Sequence, residues 1–212
     1  IINWVKERHG WAIREEMLTF TPGIVRGLAF VIHCFTQKGD KIMVMPPVYH
    51  PFFFVTQKNE REVVFSQLVL KDEQYYIDFN RFRQDIQGCK LLILSNPHNP
   101  GGRVWTKEEL SQIADICYES GTLVISDEIH ADLTLPPYKH PTFALISEKA
   151  RMNSLVFMSP SKAFNMPGLA SSYAIIENDK LRHRFQTIMQ SSEFSEVRPF
   201  PYLCVAAAAS HG

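Results

Sequence analysis

The chain has 212 residues, with 22 basic and 22 acidic side chains and 45% apolar residues. On a scale of roughly 100–200 residues per domain, that length buries a sizeable core as one domain or slightly more. The balanced charge provides no field for nucleic acid, an anionic membrane or a polyanionic substrate, so a small-molecule partner fits better.

Residues 1–8 read as the middle of an amphipathic helix without a start signal. After Gly10 comes a short apolar piece at 17–20, and then Thr21-Pro22-Gly23 opens a helical run over 24–35. Proline and glycine ahead of such a run read as a strand-to-helix turn, and the free N–H groups of a helix start suit a phosphate. Residues 41–45 predict a buried strand that runs into Pro46-Pro47-Val48-Tyr49-His50-Pro51. The prolines fix this loop, and the Tyr49 ring is as well suited to facing a ligand as to packing in the core.

Residues 62–77 alternate enough for one or two strands, and 78–87 read as a helix with Asp78 near its N-terminus. A fully apolar strand over 91–94 ends in Ser95-Asn96-Pro97-His98-Asn99-Pro100-Gly101-Gly102. Thr106 and Glu109 form a capping-box pair ahead of a helix that runs to Gly121. The next buried strand, 123–125, ends in Ser126-Asp127-Glu128-Ile129-His130. After a loop carrying Pro136, Pro137 and Pro141, the apolar run 155–158 leads to Ser159-Pro160-Ser161-Lys162. A further strand is predicted within 168–177 and a polar-faced helix over 179–190. Residues 202–209 begin a helix that stops almost at once, so both ends read as cut and the sequence as a domain excised from a longer protein.

Cys34, Cys89, Cys117 and Cys204 lie far apart, with no C-x-x-C pair and no histidines at zinc-finger spacing. They predict buried thiols in a reducing cytoplasm rather than a disulfide framework or a metal site. No apolar run approaches the roughly 20 residues of a membrane span, and residues 1–20 lack signal-peptide anatomy.

Apolar runs without polar alternation, separated by helices, predict an α/β fold: a mostly parallel sheet covered on both faces. In such sheets ligands sit beyond the carboxyl ends of the strands. Polar or reactive groups follow three successive apolar strands at that edge: Asn99, then Asp127 and His130, then Lys162. Three clusters in register point to one common site.

A lysine beyond a buried strand, flanked by two hydroxyls, fits an amine that holds an aldehyde cofactor. For pyridoxal 5'-phosphate every needed part has a candidate. Lys162 is the amine, and Asp127 is the anion that keeps the ring nitrogen protonated. Asn99 offers an amide to the ring hydroxyl, with His130 beside it. Ser159, Ser161 and the backbone amides near Gly23, Ile24 and Val25 suit the phosphate, and Tyr49 suits stacking. Taken singly, each has a plainer reading: Asp127-Glu128 as a solvated strand end, His130 as a loop histidine, Asn99-Pro100-Gly101-Gly102 as a turn. Serines, His130 and Asp127 also raise Ser-His-Asp hydrolysis, but no G-x-S-x-G elbow occurs.

The three segments Ser95 to Gly102, Ser126 to His130 and Ser159-Pro160-Ser161-Lys162-Ala163-Phe164-Asn165 together resemble fold-type I pyridoxal phosphate enzymes. Within them the chain is similar to the cystathionine β-lyase/cystalysin branch of the class I and II aminotransferases. The resemblance takes in Thr21-Pro22-Gly23-Ile24-Val25 and Pro47-Val48-Tyr49 as well. It implies a three-layer αβα sandwich with a mostly parallel mixed sheet, the aspartate aminotransferase-like large domain, over 1–212. It further implies Lys162 as Schiff-base lysine, Asp127 as pyridinium partner, Asn99 as ring-hydroxyl ligand, Tyr49 as stacking aromatic and a homodimer.

Two departures bear on function. Many aminotransferases have tyrosine where His130 stands and the lyase-like branch has histidine, which favours a carbon–sulfur β-lyase over an aminotransferase. Many also have an arginine eight residues after the lysine, where this chain has Ala170, so phosphate binding leans on the serines and the helix start. The family's small domain carries the arginine for the substrate carboxylate and is absent here; Arg103 and Arg198 are not substitutes. A cofactor-binding regulatory module without chemistry is the alternative of a different class.

Overall fold

The near-continuous burial along the central strands decides the architecture. In chain order, α1 spans Ile2–His9, β1 Leu18–Thr21, α2 Ile24–Phe35, β2 Lys41–Val44 and α3 Pro51–Lys58. Then come β3 Glu62–Phe65, β4 Val69–Lys71, β5 Gln74–Tyr76, α4 Phe79–Asp85, β6 Cys89–Ser95, α5 Lys107–Glu119 and β7 Leu123–Asp127. The chain continues with α6 Glu148–Met152, β8 Ser154–Met158, β9 Ser172–Ile175, α7 Asp179–Ser191 and α8 Pro199–His211. This is a computed structural model, and it describes residues 1–192 and 199–211.

Seven strands form one sheet in the order β1-β9-β8-β7-β6-β2-β3, while β4 and β5 pair separately as a hairpin. The neighbours from β8 to β3 are parallel, and β9 is antiparallel to both β8 and β1. Ile42, Val44, Leu91, Ile93 and Ile125 point to one face, where Leu28 and Val31 of α2, Phe52 of α3 and Phe185 of α7 cover them. Met43, Met45, Leu92, Leu94 and Val124 point to the other, under Phe82 of α4, Leu110 and Ile113 of α5 and Ala150 of α6. Both faces are thus dry, which is why these strands lack polar alternation and why the fold is a three-layer αβα sandwich.

Two places differ from the sequence reading. Residues 62–77 hold three short strands, because the turn at Asp72-Glu73, both at positive φ, folds β4 back on β5 away from the main sheet. The proline-bounded loop after β2 continues into α3, with Pro51 in its first turn, where a missing N–H costs nothing. The capping box of Thr106 and Glu109 at the start of α5 is present in both directions, and Asp78 caps α4. Among the described residues no helix is long and apolar enough to cross a membrane.

Candidate active site

Because β6, β7 and β8 are adjacent and parallel, their carboxyl ends deliver Asn99, Asp127, His130 and Lys162 to the same edge of the sheet. There they line one cavity of about 410 Å³, together with Gly23, Ile24, Val25, Tyr49, Ser159 and Ser161. All ten residues proposed from the sequence therefore share a single pocket, of a size ordinary for small-molecule sites.

Asp127 is the last residue of β7 and is 6% exposed. Its main chain is clamped on both sides: Asn96 N–H donates to the Asp127 carbonyl at 2.9 Å, and Glu128 N–H donates to the Phe157 carbonyl at 2.8 Å. Its carboxylate accepts the Ile129 N–H at 3.1 Å. Burial pushes this carboxyl up to about 7, with the neighbouring Glu128 adding to the shift and the Ile129 N–H and Lys162 opposing it. His130 is half-buried, and desolvation together with the Lys162 charge lowers its basicity.

Glu128 is also buried, which excludes a solvated strand end. Strand alternation sends it away from Asp127. Its carboxylate accepts from Ser126 Oγ and the Phe143 N–H, each at 2.9 Å, from Asn96 Nδ2 at 3.4 Å, and lies 2.6 Å from His140 Nε2.

The loops after β2 and β6 are tied together. Tyr49 N–H donates to the Asn99 carbonyl at 2.9 Å, and His98 Nε2 lies 2.7 Å from the Pro47 carbonyl. Asn99 N–H in turn donates to Ser95 Oγ at 3.1 Å. The Tyr49 ring meets Phe52 edge-on at 5.6 Å and remains 38% exposed, so one side packs while another faces the cavity.

A second wall brings the start of α2 against the turn after β8. Thr21 Oγ1 and Ser172 Oγ lie 2.6 Å apart where β1 pairs with β9, which sets Gly23 beside Ala170 and Ser171. Gly23 holds φ 98°, a conformation closed to L side chains, and so permits the chain to turn into the helix. Ser159 Oγ donates to the Ser171 carbonyl at 2.6 Å and accepts the Ser161 N–H at 3.1 Å, locking the turn that carries Lys162. Lys162 itself is exposed rather than buried, since the turn lifts it off the strand into the cavity mouth.

Ser95, Ser171 and Arg26 also line the cavity and were not singled out from the sequence. Ser95 stood inside a quoted motif; Ser171 follows from the antiparallel pairing of β9, which no local pattern announces. Arg103 is held elsewhere: it donates to the Tyr75 carbonyl, pairs with Glu109 at 2.8 Å and stacks over Trp105. Arg198 lies outside the described residues.

The family model of aminotransferase class I and II matches residues 1–211. This chain belongs to the class I and II aminotransferase family. Within the family it is 38% identical over 214 residues to cystathionine beta-lyase PatB of Bacillus subtilis, covering 100% of this chain and 55% of that protein. Cystalysin from Treponema denticola, whose crystal structure contains a pyridoxal 5'-phosphate cofactor, superposes with a TM-score of 0.95 at 34% identity, over 99% of this chain and 54% of that one. The pyridoxal phosphate-bound C-S lyase from Staphylococcus hominis superposes with a TM-score of 0.91 at 36% identity, over 100% and 53%. The chain thus spans about half the length of these family members.

Proposed function

We propose that these residues are the pyridoxal 5'-phosphate-binding large domain of a carbon–sulfur β-lyase acting on cystathionine- or cysteine-type amino acids. The observation that carries this is the convergence of Lys162, Asp127, Asn99 and His130 from three adjacent parallel strand ends on one cavity.

The donor set fits the cofactor. An amine at Lys162 meets an aldehyde, a buried carboxylate at Asp127 meets a pyridinium nitrogen, and hydroxyls with an uncapped helix start meet a phosphate. Pyridoxal phosphate, when bound, supplies an electrophilic carbon and an electron sink. Asp127 would hold the proton at the ring nitrogen, where its burial raises its proton affinity and favours a cation beside it. Asn99 would orient the ring hydroxyl, and Tyr49 would cover the ring face. Lys162, free in the cavity mouth, would take the Cα proton of the amino acid. A thiolate on Cβ would then leave, and with one water the products would be thiol, pyruvate and ammonia.

The lyase reading is preferred over aminotransfer because His130 stands at the cavity, and it is supported by the lyases named above, which are 34–38% identical to this chain over the aligned half of their length. Homodimeric assembly follows the family pattern, and the four free cysteines agree with a cytoplasmic, reducing compartment. The full-length protein, given pyridoxal phosphate and cystathionine, is expected to release pyruvate. Keto-acid-dependent amino transfer without pyruvate would make it an aminotransferase. A biological role that survives Lys162→Ala would make it a non-catalytic module. The 212-residue chain alone is expected to turn over little or no substrate, and measurable lyase activity from it would refute the assignment of half the substrate pocket to residues beyond these.

A further inference from the structure

We infer that Arg26 is a cofactor-binding residue of this site, supplying the counter-charge for the phosphate monoester of the bound ligand. The inference rests on the cofactor reading above and extends it to a residue outside the family resemblance.

Arg26 occupies the third position of α2, a 12-residue helix whose N-cap is Gly23. A cation there faces the positive end of the helix dipole, and the first turn contains no acidic residue to offset it. Gly23 has no side chain to accept from the first N–H groups, so the helix start is electropositive twice over. Such an arrangement is unfavourable in the empty protein and becomes favourable once a dianion sits on it.

The guanidinium is also placed for that role. Its Nη1 donates to the Pro22 carbonyl at 3.1 Å, one residue before Gly23, and Arg26, exposed at the helix start, is among the residues lining the same cavity as Lys162. The opposite rim of this wall is polar and uncharged. Ser159 and Ser161 are at least nine-tenths buried and Ser171 adjoins them; Ser159 donates its one proton to the Ser171 carbonyl, so the Ser161 hydroxyl, 2.9 Å from Ser159 Oγ, donates to Ser159. Asp127 is the carboxylate among the cavity-lining residues, and it is needed at the ring nitrogen. Arg26 and Lys162 are the two lining cations. Since Lys162 is committed to the aldehyde carbon, Arg26 is the guanidinium left for the phosphate, where planar, charge-assisted hydrogen bonding is strong.

The test uses full-length apoprotein titrated separately with pyridoxal 5'-phosphate and with pyridoxal, which lacks the phosphate, following the visible absorbance band. Arg26→Ala is expected to weaken pyridoxal phosphate binding by about tenfold while changing pyridoxal binding less than about twofold. Arg26→Lys is expected to recover part of the loss. Inorganic phosphate should compete with pyridoxal phosphate more weakly in Arg26→Ala than in wild type. Thermal unfolding of apo Arg26→Ala should show no loss of stability, because an unfavourable helix-start cation has been removed.

An unchanged ratio of pyridoxal phosphate to pyridoxal affinity would overturn the assignment, as would equal weakening of both. A change confined to the KM for the amino acid would instead place Arg26 at the substrate carboxylate and likewise overturn it. If the wild-type protein shows no band that depends on Lys162, the cofactor reading fails and takes this inference with it; an intact band with a wild-type ratio in Arg26→Ala sinks the inference alone.

Discussion

Asp127→Asn should make the empty protein more stable and the loaded one less so. In the unfolded chain the carboxyl releases its proton near 3.8, and in the folded chain only near about 7. Between those values the folded form binds more protons, so stability falls as pH rises through the window. The gap of about three pH units corresponds to a ceiling of about 4 kcal/mol at pH 8 and about 2 kcal/mol at pH 5. Asparagine keeps the size and the acceptor for the Ile129 N–H, so the exchange removes the charge with little else. Urea denaturation of the apoproteins at both pH values measures this directly. The variant should exceed wild type by up to that ceiling at pH 8, with the difference shrinking on acidification. With pyridoxal phosphate added, wild type should gain stability and Asp127→Asn much less. Equal apo stabilities at pH 8, or a difference that does not depend on pH, would refute the claim that a buried charge is held there for a ligand.

Three further substitutions probe the frame around that carboxylate. Lys162→Ala, at an exposed turn position, should leave apo stability within about 0.5 kcal/mol while abolishing both the visible cofactor band and pyruvate release, as spectroscopy and turnover assays would show. Gly27→Ala would put a methyl 2.6 Å from Phe157 Cε1 in the core under α2, and should cost about 1–3 kcal/mol in denaturant midpoint and displace the helix start that faces the cavity. Glu128→Ala strands the Ser126, Phe143 and His140 donors in the interior and should destabilise by about 3–5 kcal/mol by the same measurement.

How much of this was legible in the sequence depends on the range of the force that made each feature. Apolar runs at 41–45, 91–94, 123–125 and 155–158 are local records of burial on both faces, so β2, β6, β7 and β8 could be read directly. Parallel connection through helices then puts all their carboxyl ends on one edge, and that rule joins Asn99, Asp127, His130 and Lys162 with no contact known in advance. The division of 62–77 into three strands rather than one or two, and the helix α3, are not legible for an opposite reason. Their strands carry mostly exposed residues, and α3 begins inside a proline-rich loop, so tertiary context rather than periodicity defines them.

The electrostatics of the site were the least legible part, because they depend on distances between strands. Asp127 and Glu128 are a single dipeptide in sequence, equally able to be a wet strand end. In the fold, the pleat sends one carboxylate into a cavity with one backbone donor and the other into a nest with four partners. The first is left short of positive charge and the second is satisfied by the protein itself. That division separates function from structure: Glu128 holds the end of β7 in place, and Asp127, held there, carries an unmet demand for a cation. Arg26 is the mirror case, a cation at a helix start whose first turn holds no acidic residue. Two unmet demands of opposite sign in one cavity describe a ligand with a protonated nitrogen and an anionic group, a more specific statement than either residue makes alone.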